Sequence, residues 1–496
     1  MGRLGLIGLV AVAVLMGACS SDDSSASVTE PSPSATAPAP SPAPAELVDR
    51  TCDTAASLGP TRCYFLEVPE HRDVAGSRTI KLWVAVVTPA NAPSDALPLI
   101  FLPGGPGGDT SSMARDPSTS WPGSPRPVVY LDERGMGRSE PDMSCPEVVK
   151  PLDASHPWTE RRDATAAQLV ACRERVVAAG VDLDGYNTRE VAADVVALRQ
   201  ALGLDQWTVW GFSYGGRVAQ EVLRQDPDGV AALLLDSPLT AAPVGPAARI
   251  ANDNASTATL AAACKAEPSC ASVTPDLSAT IDAAIAQANA HPYTAHPTAS
   301  DGTNLSVLMT GQEVQQGKVI VTADATSVGI LPGAAESIAS GATGMLDLIA
   351  AGLTDPPGGP IASSDAIECA NDQAGLTEAD QAAIDDPGNF GTLFVLGDWP
   401  YCDDVWKVAS APLDAPESNV PTLIFEGGFD PVLPPTLGED IAKTLTHSTI
   451  VVIPAGSHGN ATGTPCASSI TGAFLDDPPA TLDTSCVSTL PAPFAP

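Results

Sequence analysis

The sequence predicts an α/β fold in which the strands of a mainly parallel, twisted sheet alternate with flanking helices. Seven short apolar runs bounded by Gly, Pro or Asp are typical of strands buried on both faces of such a sheet; they cover residues 80–87, 97–102, 128–131, 207–210, 231–235, 423–425 and 450–453. Between two of them, residues 188–202 have an amphipathic pattern that predicts a helix, which Asn187 or Thr188 can cap and Gly203 ends. Strands that alternate with helices favour the α/β class.

The composition changes along the chain and divides it into five parts. Residues 1–18 are expected to be a signal peptide, and residues 19–45, which are nearly all Ser, Pro, Ala, Thr and Asp, a disordered tether. Residues 46–238 carry the first strands of the predicted sheet, and residues 413–496 carry the last ones. The intervening residues 239–412 are Ala-rich, helical in bias and interrupted by Pro and Gly, which predicts a cap inserted into the α/β core.

The N-terminus has the features of an export signal. Arg3 supplies a positive charge, and the apolar residues 4–15 are too few to span a bilayer. The string Leu-Met-Gly-Ala-Cys that ends at Cys19 resembles a bacterial lipoprotein signal, in which the cysteine takes lipid; an ordinary signal peptide cut after Ala18 is the alternative. Either reading predicts an exported protein, anchored by lipid on the outer face of the cell membrane or secreted, with membrane contact through that anchor only.

The charge of the chain excludes several classes of partner. Lys and Arg number 24 against 59 for Asp and Glu, so the formal net charge is −35. Such an acidic surface repels phosphate backbones, and the sequence has no basic run, so nucleic acid is not expected as a partner. It also lacks a zinc-type Cys/His cluster, and we expect no metal, no cofactor and a monomeric protein.

The cysteines of an exported protein are candidates for disulfides. The chain has 11 cysteines, and ten remain if Cys19 carries lipid. Sequence alone does not fix connectivity. Pairing of near neighbours is the hypothesis, and it gives Cys52–Cys63, Cys145–Cys172, Cys264–Cys270, Cys369–Cys402 and Cys466–Cys486.

The strongest chemical signal is the string Trp-Gly-Phe-Ser-Tyr-Gly-Gly around Ser213, in which an apolar run enters Gly-x-Ser-x-Gly-Gly and then a helical pattern. A serine on a sharp strand-to-helix turn needs small residues two positions away on either side, so that the backbone can fold tightly. Its hydroxyl then projects above the sheet edge, next to the free amides of the helix N-terminus. The string therefore predicts an α/β-hydrolase fold with Ser213 as the nucleophile.

A serine hydroxyl needs a base, and the fold orders its triad as serine, acid, histidine. His458 follows the last predicted strand, whereas the other five histidines lack that context. Asp430 follows the strand before it and is the preferred acid. Asp236, after the run 231–235, is the rival acid, and Glu426 is expected to be structural.

An oxyanion hole requires two backbone amides near the nucleophile. Tyr214, the residue after Ser213, is expected to supply one of them. The string Pro-Gly-Gly-Pro-Gly-Gly at 103–108 directly follows a predicted strand, and Gly104 or Gly105 is expected to supply the other. This string lacks the lysine and the Ser or Thr of a phosphate-binding loop, which excludes that alternative.

Three strings resemble the prolyl and tripeptidyl aminopeptidases of the α/β-hydrolase superfamily. Residues 104–107 resemble that family's Gly-Gly-Pro-Gly, residues 132–139 its Asp-x-Arg-Gly-x-Gly-x-Ser, and residues 211–216 its nucleophile turn. The 132–139 string is expected to be structural, with Arg134 paired to a carboxylate beneath the site. Pro103 stands where the prolyl enzymes have histidine, which favours the exported tripeptidyl type over strict proline specificity.

The resemblance implies an exopeptidase that acts on peptide substrates and releases short fragments from a free N-terminus through an acyl-enzyme. Members of this group hold the substrate's amine with cap carboxylates, for which Glu368 and Asp372 are candidates; solvated surface acids are the alternative interpretation. An esterase or lipase with the same machinery is the second functional hypothesis, because fold and triad do not fix the substrate. A non-catalytic exported binding protein is the third, and the complete triad argues against it.

Overall fold

A mixed sheet organises the computed structural model, which describes residues 45–52, 59–115, 125–148, 155–299, 302–354, 361–372, 376–395, 402–478, 480–491 and 494. Within these residues nine strands form one sheet in the order β1-β2-β3-β5-β4-β6-β7-β10-β11, and β8 and β9 form a separate hairpin. In the large sheet the pairings β1–β2, β2–β3 and β3–β5 are antiparallel, and the other five pairings are parallel. The carboxyl ends of six strands therefore meet at one edge.

The strands and helices have the following bounds. The strands are β1 Glu46–Arg50, β2 Thr61–Pro69, β3 Thr79–Val87, β4 Leu99–Leu102, β5 Val128–Leu131, β6 Trp207–Phe212, β7 Val230–Asp236, β8 Tyr293–Ala295, β9 Val307–Met309, β10 Thr422–Gly427 and β11 Ser448–Ile453. The helices are α1 Thr110–Arg115, α2 Trp158–Ala178, α3 Thr188–Ala201, α4 Tyr214–Gln225, α5 Pro246–Ala266, α6 Pro268–Val273, α7 Leu277–Ala290, α8 Gly311–Ala323, α9 Leu331–Ala339, α10 Gly344–Thr354, α11 Ile361–Asp372, α12 Glu378–Asp385, α13 Phe390–Val395, α14 Thr436–Ala442 and α15 Pro465–Asp476.

The sheet is covered by helices on both faces, which explains the continuous apolar runs. In β4 all four residues are buried, and alternate side chains enter two different clusters: Ile100 and Leu102 pack with α2, α3 and α4, whereas Leu99 and Phe101 pack with α1 and α15. Six of the seven predicted runs lie within a strand, and the seventh, 97–102, begins two residues before β4. The sequence pattern missed β1, β2 and the two short strands β8 and β9; of these, β1 is mostly exposed.

The predicted helix at 188–202 is α3. Asn187 is its cap, because the side chain accepts a hydrogen bond from the Glu190 amide, and Gly203 follows the helix with a φ of 68°. Leu202 lies just beyond its last helical residue. The local signals therefore gave this helix to within one residue.

The residues between β7 and β10 are called the inserted segment here. They contain α5 to α13 and the β8–β9 hairpin, so they leave the sheet after one strand and return to pair the next strand beside it. Among these helices α8 has a capping box, in which Thr310 and Glu313 bond each other's backbone amides. The finer boundaries 239–412 for a cap stay a prediction.

The structure joins ten of the cysteines in the five predicted pairs, namely Cys52–Cys63, Cys145–Cys172, Cys264–Cys270, Cys369–Cys402 and Cys466–Cys486. The predicted signal peptide 1–18, most of the tether 19–45 and Cys19 lie outside the described residues. Among the helices that are described, none is long and apolar enough to cross a membrane.

Candidate active site

Ser213 lies on the turn between β6 and α4, at the edge where the parallel strands end. Its backbone has a φ of 53° and a ψ of −118°, a conformation that side chains rarely adopt. The flanking glycines permit the turn, since a Cβ at Gly211 would be 2.3 Å from the Gly215 oxygen and a Cβ at Gly215 would be 2.1 Å from the Leu102 oxygen. The backbone itself therefore requires the Gly-x-Ser-x-Gly spacing.

The structure brings the three predicted triad residues together. The Ser213 Oγ is 3.0 Å from the His458 Nε2, and the His458 Nδ1 is 2.8 Å from the Asp430 Oδ2. The other carboxylate oxygen of Asp430 accepts hydrogen bonds from the amides of Val432 and Leu433, at 2.8 Å and 3.0 Å. This geometry is that of a nucleophile, a base and an orienting acid.

The charges around His458 favour its protonated form. Burial by itself lowers the pKa of His458, but the charge and hydrogen bond of Asp430, assisted by the charge of Asp236, outweigh burial and raise that pKa above its ordinary value of 6.5. Asp430 can only accept when ionised, so the neutral ring must donate from Nδ1. The Nε2 atom is then the acceptor that faces the Ser213 hydroxyl, as a general base requires.

The rival acid Asp236 has a different position. Its carboxylate accepts hydrogen bonds from the backbone amides of Asn460 and Ala461, at 2.6 Å and 3.0 Å. It therefore holds the loop that carries His458, called the base loop here. Burial raises the pKa of Asp236 to about 6. The next residue, Ser237, has a φ of 44°, and its hydroxyl accepts from the Gly459 amide at 3.1 Å. The end of β7 thus supports the base loop, whereas the imidazole contacts Asp430.

Glu426 is fully buried in β10, and among the described residues no side chain forms a hydrogen bond with its carboxylate oxygens. Burial, with the nearby charges of Asp430 and Asp236, raises the pKa of Glu426 well above its ordinary value. The buried environment therefore favours the protonated, uncharged form of this carboxyl group.

Two elements place candidate oxyanion donors next to Ser213. Tyr214 is the first residue of α4, so its amide has no acceptor within the helix. Gly104 approaches so closely that a Cβ there would be 3.0 Å from the Ser213 Cβ, and Gly105 lines the cavity above the nucleophile. All three predicted donors are therefore at the site.

A cavity of about 230 Å³ opens above Ser213. Both amine-binding candidates, Glu368 and Asp372, line it from α11. Asp372 forms a bidentate salt bridge with Arg217 of α4, and both N–O distances are 2.9 Å. The remaining lining residues are Gly105, Pro106, Tyr214, Leu239, Arg249, Ile367, Val432, Leu433 and His458.

The two arginines of this cavity, Arg217 and Arg249, were not predicted from the sequence. Arg217 lies four residues after Ser213, one helical turn into α4, and this spacing could have placed it near the nucleophile. Arg249 has no comparable signal, because α5 reaches the cavity only through the tertiary fold.

The 132–139 string directly follows β5, at the edge of the sheet where the parallel strands end. Arg134 is fully buried and donates two hydrogen bonds of 2.8 Å to Asp194 of α3, as expected for a structural arginine. Asp132 accepts from the hydroxyl of Thr110 and the amide of Arg138, both at 2.8 Å. These bonds tie the turn after β5 to α1 and α3.

One group among the described residues has metal-ligand proximity, namely Cys145, Glu147 and Cys172. Its two cysteines are joined to each other as a disulfide and offer no thiolate. This group therefore does not fit a metal ion.

Comparison with known proteins gives two family matches, one to the alpha/beta hydrolase fold over residues 98–272 and one to TAP-like protein over residues 394–486. A probable proline iminopeptidase of Streptomyces coelicolor is 28% identical over 141 residues, which are 28% of this chain and 32% of that protein. Serine protease Hip1 of Mycobacterium tuberculosis is 29% identical over 148 residues, 28% of either chain. The matches thus span about a third or less of these relatives' length.

Among solved structures, the proline iminopeptidase of Mycobacterium smegmatis aligns with 81% of this chain and 96% of its own at 18% identity, with a TM-score of 0.37.

Proposed function

The chain belongs to the α/β-hydrolase superfamily, and we propose that it is a serine exopeptidase, an aminopeptidase of tripeptidyl or prolyl type. The observation that carries the proposal is that two carboxylates, Glu368 and Asp372, line the same cavity as the Ser213 nucleophile. A substrate whose scissile carbonyl lies at Ser213 would extend its N-terminal amine toward them. The peptidase names of the relatives support the same class.

The triad geometry supports acyl transfer in two half-reactions. The Ser213 Oγ attacks the scissile carbonyl while the His458 Nε2 takes its proton, and the oxyanion is held by the amides of Tyr214 and of Gly104 or Gly105. The imidazolium then gives that proton to the leaving amine as the C–N bond breaks, which leaves an ester on Ser213. A water molecule, deprotonated by His458, attacks this ester and releases the N-terminal fragment with the serine restored.

The balance of charges in the cavity favours a second candidate function. Arg217 neutralises Asp372, and Arg249 balances the charge of Glu368 in number, so the cavity is formally neutral. A neutral cavity does not by itself select a cation, and an esterase with the same triad is therefore the second candidate function.

One experiment separates the candidates. Chromogenic peptides with free and with acetylated N-termini are compared beside short-chain p-nitrophenyl esters, for the wild type and for Ser213→Ala. We expect the wild type to cleave peptides only when their N-terminal amine is free, and we expect Ser213→Ala to cleave none of them. Equal turnover of acetylated peptides would reject the exopeptidase, ester turnover alone would identify the esterase, and activity that survives in Ser213→Ala would reject the mechanism.

The amine anchor is tested with Glu368→Gln. Removing its charge is expected to raise KM for free-amine peptides about 10-fold or more, as loss of a charge-assisted contact does, and to leave ester turnover unchanged. Glu336→Gln is the matched control, because Glu336 is an exposed carboxylate on α9 of the same segment. An unchanged KM in Glu368→Gln would remove this residue from the substrate site.

We also propose export, with lipid on Cys19. Five disulfides are compatible with an oxidising compartment. Incorporation of labelled palmitate by cells that produce the full chain, compared with Cys19→Ala, tests the anchor. Labelling that is equal in both would reject it.

A further inference from the structure

Two helices of the inserted segment form hydrogen bonds with the backbone of the loops that carry Asp430 and His458. On α5, the Asn252 side-chain amide donates to the carbonyl oxygen of Asp430 at 3.3 Å, and the Ser256 hydroxyl donates to that of Phe429 at 2.7 Å. Asn252 and Ser256 are 8% and 5% exposed, so water does not compete for these bonds. The loop that carries Asp430, called the acid loop here, is therefore held to α5 by two hydrogen bonds.

Hydrogen bonds also hold the base loop to the C-terminal end of α8. The His458 amide donates to the carbonyl oxygen of Ala323 at 3.2 Å, and the Ser457 hydroxyl donates to that of Thr322. These two carbonyls belong to the last turn of α8, which has no further intrahelical donors for them. The helix end thus provides acceptors for the residue that carries the general base.

A buried ion pair joins the two helices to each other. Lys318 of α8 contacts the carboxylate of Asp253 on α5 and also donates to the Thr257 hydroxyl at 3.2 Å. Both charged side chains are buried, at 8% and 5% exposure. Asp253 is the neighbour of Asn252, and Lys318 lies one turn before Thr322. Movement of either helix would therefore be transmitted to the other.

We propose that α5 and α8 position the acid and the base of the triad, with Asn252 and Ser256 as positioning residues for Asp430 and with the Lys318–Asp253 pair keeping the two helices in register. The segment that covers the cavity is then also a support of the catalytic geometry. Its displacement from the core would loosen the hydrogen bond between His458 and Asp430. This inference rests on the proposed serine-hydrolase chemistry at Ser213.

The kinetic constants and the pH dependence distinguish a positioning role from a general effect on stability. A loosened acid loop should lower kcat more than it changes KM, since misplacement of a reacting group by a fraction of an ångström reduces the rate strongly. It should also weaken the contact that favours protonated His458. The charged groups that face His458 are Asp430, Asp236 and Arg249, and of these Asp430 is the one whose loop would move. Glu426 lies near Asp430 and Asp236, and its pKa is raised by burial and by their charges.

The test compares Ser256→Ala, and the double variant Asn252→Ala/Ser256→Ala, with the wild type. The control is Thr259→Ala on the same helix, whose exposed hydroxyl donates to the Ala255 oxygen within α5. We measure kcat, KM and the pH dependence of kcat/KM on the best substrate, beside thermal unfolding. The expected result is a fall in kcat of about 10-fold or more, with KM within about twofold and the acid limb of the pH profile moved to lower pH.

The results distinguish failure of the positioning role from failure of the proposed serine-hydrolase function. Normal kcat and an unmoved acid limb in folded Ser256→Ala would overturn the positioning role, and so would an equal effect in Thr259→Ala. If the double variant does not fold, Ser256→Ala and Ser457→Ala each delete a single hydroxyl and give the answer. A fluorophosphonate probe checks the premise: absence of labelling on wild-type Ser213 would reject the proposed function itself, whereas labelling together with an unaffected Ser256→Ala rejects only this inference.

Discussion

Replacement of one buried carboxyl group, in Glu133→Gln, is expected to stabilise the protein at alkaline pH. Glu133 follows β5 and is 1% exposed, and its Oε1 has no hydrogen-bond partner among the described residues. Burial, together with the charges of Asp194 and Asp132, raises its pKa from the ordinary 4.5 to about 8. Glutamine has nearly the same shape and never ionises, so the variant removes only the titration.

The magnitude follows from the difference in proton binding between the two states. From pH 4.5 to about 8 the folded protein keeps the Glu133 proton, whereas the unfolded chain has lost it, so the free energy of unfolding falls as the pH rises. At about 1.4 kcal/mol per pH unit this amounts to roughly 5 kcal/mol by pH 8, and it does not grow further above that pH. Below pH 4.5 both states are protonated, and the penalty is absent.

Thermal unfolding with the disulfides intact measures this penalty. An unfolding entropy of about 2 cal/mol/K per residue gives about 1 kcal/mol/K for roughly 450 residues, so 5 kcal/mol corresponds to about 5 °C in Tm. The Tm of Glu133→Gln should exceed that of the wild type by about 5 °C at pH 9 and by much less at pH 5. The exposed Glu336→Gln is the control and should show no such trend. A Tm difference that is equal at both pH values, or larger at pH 5, would refute the reasoning.

Three further predictions concern the site. Because the pKa of His458 is raised, the acid limb of kcat/KM should lie above pH 6.5; Asp430→Asn should move it down and lower kcat by about 10⁴-fold, and an unmoved limb would contradict the pairing. Asp236→Ala should cost about 3 kcal/mol of unfolding free energy with a fall in kcat, since two amides lose a charged acceptor; denaturant titration beside the exposed Asp228→Ala checks it, and equal stability of the two variants would count against the support role. Gly215→Ala should abolish soluble folded protein, because the new Cβ would meet the Leu102 oxygen, whereas Gly333→Ala has open space and should fold normally; circular dichroism of the purified variants decides this.

The parallel strands and the nucleophile turn were predictable because their signals are local. Strands buried on both faces must be apolar at every position, and a serine on a strained turn must have glycines at two fixed positions. The order of strand ends along the chain then placed Asp430 and His458 at the same edge as Ser213. The edge strand β1 escaped prediction, because an exposed edge strand carries no continuous apolar run.

The amino-acid sequence by itself therefore determined the α/β class and the turn that carries Ser213, since both depend on residues that are close in the chain. For the cysteines it offered only a hypothesis, because sequence does not fix connectivity, and the five pairs come from the structure. Only the tertiary structure decided that Asp430 contacts the imidazole while Asp236 supports the base loop. Only the tertiary structure also decided that Arg217 neutralises Asp372 and that α5 and α8 hold the triad loops. The partners in these contacts are 28 to 225 residues apart. At such separations neither helical nor strand periodicity relates one side chain to another, and their meeting depends on how the inserted segment folds back over the sheet.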